Sequence, residues 1–117
     1  MINHFVENLM TKINTIATVY YEEAPLNASF PFGVVPTLSL RTLDYGYDCT
    51  IDIEFYVNEL SDSDVDIICD RLRENLDKYS YQDSVMGYHL SFDDQILSKQ
   101  KEQDFSYRRM SFTARIF

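Results

Sequence analysis

The sequence has no tryptophan, three glycines, three prolines, two cysteines and two histidines, and each shortage excludes a kind of chemistry. Gly33, Gly46 and Gly87 are too dispersed to build a glycine-rich loop that cradles phosphate. His4 and His89 lie in different elements, and neither stands at a ligand spacing from a cysteine or another histidine, so no metal site is expected. Two cysteines allow at most one disulfide. Cys49 follows a turn and Cys69 falls on a helical apolar stripe, so both read as reduced thiols rather than nucleophiles. No apolar run approaches the roughly 20 residues that span a bilayer. The start, Ile2-Asn3-His4-Phe5, has neither the basic nor the apolar stretch of a signal peptide. The expectation is a soluble chain of the cytosol with no cofactor.

Basic residues are also scarce: ten against nineteen acids, a net charge of −9. A surface that grips DNA neutralises phosphates with Lys and Arg, and an anionic membrane asks for the same residues, so neither is expected as a binding partner. What is abundant is ordinary core material. The 117 residues are 45% hydrophobic, with nine Tyr and eight Phe, enough for one domain spanning 1–117 that buries roughly two-thirds of its unfolded surface.

Residues 2–20 place Ile2, Phe5, Val6, Leu9, Met10, Ile13, Ile16, Ala17 and Tyr20 at helical spacing, with Asn3, Glu7, Asn8, Lys12 and Asn14 on the other side. The segment from Glu22 to Pro36 holds every proline and reads as an extended connector. Val34 to Leu43 reads as a strand, which Pro36 confines to a strand start or a sheet edge. Asp44-Tyr45-Gly46-Tyr47-Asp48 is a turn in which Gly46 supplies a positive φ. Ile51, Ile53, Phe55 and Val57 then alternate with Asp52, Glu54 and Tyr56, the pattern of a half-buried strand.

Ser61-Asp62-Ser63-Asp64 opens a second helix with a serine cap and early acids. Its buried stripe is Val65, Ile68, Cys69, Leu72, Leu76 and Tyr79. A third strand covers Tyr88 to Phe92, with Asp93-Asp94 in a solvated turn and Leu97 to Asp104 as a polar hairpin tip. Arg108 to Phe117 alternates again and closes the chain. The expected fold is α+β, an α-β-β-α-β-β sandwich with a mostly antiparallel four-stranded sheet packed on two helices.

Charge is unevenly placed. Residues 44–77 carry eleven acids and two arginines, whereas residues 95–117 carry five basic residues and two acids. One reading is a solvated helix face beside an ordinary basic strand. The other is self-complementarity, in which an acidic edge of one copy meets Arg108, Arg109 or Arg115 of the next in a head-to-tail contact. Tyr45 and Tyr47 flank the turn glycine, where little core is available; either both serve an interface or one packs inward while the other stays exposed.

Taken together, the N-terminal amphipathic helix, Tyr20-Tyr21-Glu22-Glu23-Ala24-Pro25, Pro36-Thr37-Leu38, Ile51-Asp52-Ile53-Glu54-Phe55-Tyr56-Val57, the Ser-Asp-capped helix and Arg108-Arg109-Met110-Ser111-Phe112 resemble the tail terminator (tail completion) proteins of long-tailed bacteriophages. The likeness runs over nearly the full length and rests on patterns rather than strict motifs. It implies a structural, non-enzymatic virion protein assembled in the bacterial cytoplasm. Such proteins form a ring, typically of six copies, on the head-proximal end of the tail tube. The ring ends tube polymerisation and docks to the head–tail connector protein, and DNA passes through its lumen. An acidic lumen would repel phosphate and let DNA slide, and Asp48, Asp52, Glu54 and the acids of the second helix are its candidate lining. Two alternatives stand beside this reading: another neck component (connector or stopper), and a small acidic inhibitor that mimics DNA.

Overall fold

The computed structural model describes residues 2–36, 38–58, 62–99 and 106–117. Helix α1 (Ile2–Asn14) buries Phe5, Leu9 and Ile13, a single stripe at a spacing of four that keeps one side chain per turn on the core face. Asn14 ends it and starts the sheet. Its Nδ2 donates to Met10 O and to Val19 O, and its Oδ1 accepts from Val19 N. One side chain therefore caps the helix and fixes the first strand, β1 (Val19–Tyr21).

The chain continues through β2 (Phe32–Val35), β3 (Ser39–Leu43), β4 (Gly46–Val57), α2 (Asp62–Leu76), β5 (Ser80–Gln82), β6 (Gly87–Lys99) and β7 (Ser106–Ile116). All seven strands form one mixed sheet in the order β1-β2-β4-β7-β6-β5, with β3 paired to β4. Only β1 and β2 run parallel. The α+β class and two helices agree with expectation, but the sheet has seven strands rather than four. β1 and β5 are three residues long, too short for alternation to reveal them. The strand expected over 34–43 is interrupted at Pro36, which cannot donate to a ladder; its two pieces, β2 and β3, lie along the same side of β4.

The hairpin of β6 and β7 departs furthest from expectation. β6 runs thirteen residues to Lys99, through Asp93-Asp94 and into the segment expected as a polar tip; residues 100–104 of that tip lie outside the described residues, as does the expected Ser61 cap. The register shifts between Phe92 and Asp94, so Asp93 is the extra residue of a β-bulge. The bulge reverses the side-chain phase, and this is why the strand's alternation fades in the sequence after Phe92.

Both helices cover one face of the sheet. Cys49, Ile51, Ile53, Phe55 and Val57 of β4, Met110, Phe112, Ala114 and Ile116 of β7, and Tyr88 and Leu90 of β6 meet α1 and, from α2, Val65, Cys69, Leu72 and Leu76. Both cysteines are free and buried, and burial pushes each thiol up to about 11, so they pack as small apolar groups. The Tyr88 ring is fully buried at the centre and its hydroxyl donates to Asn8 Oδ1 at 2.6 Å. No described helix is long and apolar enough to cross a membrane.

Asp83, in the turn between β5 and β6, ties α1 to this end of the sheet. Its carboxylate accepts from Val85 N, Met86 N and the Tyr81 hydroxyl. It also accepts from His4 Nε2 at 2.6 Å, since a carboxylate can only accept. His4 is half-buried and bonded. These bonds, with that from His4 foremost, hold the Asp83 carboxyl well below the usual carboxylate range.

Two predictions follow from this geometry. Because the folded-state pKa of Asp83 is depressed, its contribution is complete above the unfolded value of about 3.9 and is lost as pH falls below it. The stability gap between wild type and Asp83→Asn, read by urea unfolding, should therefore narrow from pH 5 to pH 2. Separately, Gly46 has φ of 98°, and a Cβ there would collide with the Ile116 carbonyl oxygen. Gly46→Ala should cost about 1–3 kcal/mol in the same assay.

Candidate functional site

Strand parity divides the molecule into a helix-covered face and an open one. On the open face β4 presents Asp48, Thr50, Asp52, Glu54 and Tyr56, and opposite them β7 presents Arg115, Thr113, Ser111 and Arg109. The three acids expected as a lining thus do share a face. Each is held by hydrogen bonds: Arg41 Nη2 donates to Asp48 Oδ2 at 2.6 Å, Ser111 Oγ to Asp52 Oδ1 at 2.6 Å, and the Tyr56 hydroxyl to Glu54 Oε2 at 3.2 Å. Thr113 Oγ1 adds a bond to Asp93 Oδ2 at 2.6 Å.

The face is not simply acidic. Arg109 stands in register with Glu54, and Arg115 with Asp48. Carboxylates and guanidiniums thus alternate across the strands, in the pairing that stabilises a sheet surface. Two atoms on this face, Asp48 Oδ1 and Arg109 Nε, are buried without a hydrogen-bond partner. Further acids lie elsewhere. Asp64, Asp66, Asp70 and Glu74 are exposed on α2, in the helical layer behind the sheet. The acids of the second helix and those of β4 therefore cannot line one surface together.

Arg108 requires a correction. It lies opposite Phe55, faces the core and is 4% exposed, so it is no surface contact for another copy. Its Nε donates to Asp66 Oδ1 at 3.3 Å, and Asp66 reaches in from α2 with most of its own side chain in solvent. Strand parity sets Arg108 with Met110 and Phe112 on the inward face, and its long apolar stem lets the charged end reach Asp66. The two tyrosines part: Tyr47 packs on the core, while Tyr45 at the hairpin tip is 89% exposed.

A second surface feature lay inside the connector. Phe32 stacks on Tyr56 at 5.4 Å between centroids, with Phe30 at 5.4 Å and Tyr20 edge-on at 6.2 Å. Phe30, Phe32, Val34, Tyr56 and Ala24 line an open groove of about 360 Å³ rimmed by Glu22 and Glu23. Beside it Leu26 is wholly exposed. The run Phe30-Pro31-Phe32 was the available signal.

On the other side of the open face, Ser80 Oγ lies 2.6 Å from His89 Nδ1. A hydroxyl activated as a nucleophile needs its histidine oriented by a third group. Among the described residues His89 has no carboxylate partner, so this contact reads as a cross-strand pair. Nor do the described residues contain a cluster of three or more His, Cys, Asp or Glu able to hold a metal.

No protein-family model matches the chain, and no curated protein matches it by sequence. By structure it resembles a chain from the virion of a native gene transfer agent particle. The TM-score is 0.66 at 13% identity, over 92% of this chain and 83% of that one. At that identity the likeness establishes a shared fold.

The Arg108–Asp66 contact yields a test by urea unfolding. Asp66→Ala leaves a buried guanidinium short of one partner and should cost about 1 kcal/mol, because the carboxylate is largely solvated. Arg108→Met keeps the apolar stem and leaves Asp66 in water, so it should stay within about 1 kcal/mol of wild type.

Proposed function

We propose that the chain is a structural protein of a phage-like virion, and within it the tail terminator. In this reading a ring of about six copies caps the head-proximal end of the tail tube, ends its polymerisation and docks to the connector. The observation that supports it most is the fold shared with a gene transfer agent virion chain along nearly the whole length, alongside the tail-terminator pattern of the sequence. The role is non-enzymatic.

The open sheet face is the surface we assign to the lumen, with Asp48, Asp52 and Glu54 among its residues, and with α2 turned outward. Its chemistry suits passage of DNA in a modified form of the expected way. Arg109 and Arg115 stand across from carboxylates, and Arg41 is bonded to Asp48. A phosphate approaching any of these guanidiniums meets a carboxylate on the neighbouring strand, so counterion release drives little attachment. Matched charge, more than excess acid, keeps the wall from holding DNA.

Electron microscopy of the purified protein added to growing tail tubes tests the assignment. The expected result is tubes that stop lengthening and carry a ring of about six subunits at one end. Tubes of unchanged length distribution with bare ends would overturn it. A monomer that competes with DNA for a nuclease or repressor would favour the DNA-mimic alternative.

A further inference from the structure

The sheet ends on bare strands at one corner, and they are matched. Near Gly46 five strands run side by side as β3, β4, β7, β6 and β5, and every neighbouring pair is antiparallel. Among the described residues β3 pairs only with β4 and β5 only with β6. Ser39, Leu40, Arg41 and Thr42 are all exposed, as are Ser80 and Gln82. A strand bonded on one side points every second N–H and C=O at solvent. Natural edges are usually blunted by proline, lysine, a bulge or a covering segment. Within β3 there is no proline or lysine, its register is regular, and its single charge is already bonded across to Asp48.

We infer that β3 of one copy adds to β5 of the next, extending the sheet from subunit to subunit around the ring; this rests on the ring reading above. Four antiparallel steps separate β3 from β5, so the two strands point the same way. Rotation about an axis along the strands preserves that direction and joins them in parallel. The faces also agree. Leu40 lies on the helix-covered face opposite Cys49, and Tyr81 lies on that face opposite Tyr88. The joint would cover Leu40, which is 36% exposed. The commoner alternative, a two-fold pairing of β3 with itself, is disfavoured by charge. A symmetric pairing over the whole strand centres on Arg41 and sets like charges directly opposite. β5 is Ser80-Tyr81-Gln82 and brings no charge to the joint.

Ser39, Ser80 and Gln82 all lie on the open face, and cysteines placed there report the joint. Cys49 and Cys69 are buried and their thiols are pushed up to about 11, so a short bismaleimide at neutral pH leaves them untouched. Native mass spectrometry of each full-length variant runs alongside. Ser39→Cys alone and Gln82→Cys alone should give no cross-linked species, their mixture should give dimers, and the double variant should give a ladder up to the ring number. Ser80→Cys in place of Gln82→Cys covers the neighbouring register. Dimers from Ser39→Cys alone would replace the inference with the two-fold pairing. Rings by mass without cross-links from either double variant would overturn the joint and leave the ring standing. Monomers at every concentration, with and without tail tubes, would overturn both.

Discussion

The pairing of β4 with β7 is the constraint on which the rest of the structure depends. Tyr47 through Val57 lie opposite Ile116 through Ser106 without a register shift. This one ladder sets the parity of both faces. Inward it aligns Cys49 with Ala114, Ile51 with Phe112 and Ile53 with Met110 under the two helices. Outward it aligns Asp48 with Arg115 and Glu54 with Arg109. A slip of one residue would exchange the two sets completely, burying charges and exposing the core. The burial that stabilises the fold and the charge pattern that suits the proposed role are therefore specified by the same register.

That division explains how the net charge of −9 is accommodated. On the sheet face Asp48 and Glu54 stand across from Arg115 and Arg109, while α2 carries five acids against two arginines. Buried between them are apolar side chains and one guanidinium, Arg108, partnered from the helix by Asp66. Charge excess on a helix surface costs little, because solvent screens it. Excess on the sheet face would have placed like charges within a cross-strand spacing.

Legibility in the sequence followed element length and burial. α1, the core stripe of α2, β4 from Ile51 to Val57 and the apolar inward residues of β7 were readable, because each repeats a period long enough to stand out. The glycine of the β3–β4 hairpin was readable from its composition. The unreadable parts were those decided by tertiary contact. β1 forms because Asn14 holds Val19 and β2 lies alongside. β6 extends beyond Phe92 because β7 runs beside it, against a polar local sequence. The candidate surface was partly legible: alternation set Asp52 and Glu54 on one face, but the strand position of Asp48 and the arginines across from Asp48 and Glu54 required the cross-strand register. The aromatic groove needed Tyr20, Phe32 and Tyr56 to meet from three strands.

The order of strands in the chain has a consequence for synthesis. β7 follows the other described elements in the chain, yet it lies inside the sheet between β4 and β6. As the chain leaves the ribosome, β4 and β6 have no shared partner, and α1 and α2 have only fragments of a floor to rest on. Loop closure between β4 and β7 spans α2 and two further strands, a non-local step that delays cooperative folding. The exposed edge of β3 therefore becomes part of an ordered five-strand row only once the final strand has inserted. A chain that joins its neighbours through that row could do so only after β7 has inserted between β4 and β6.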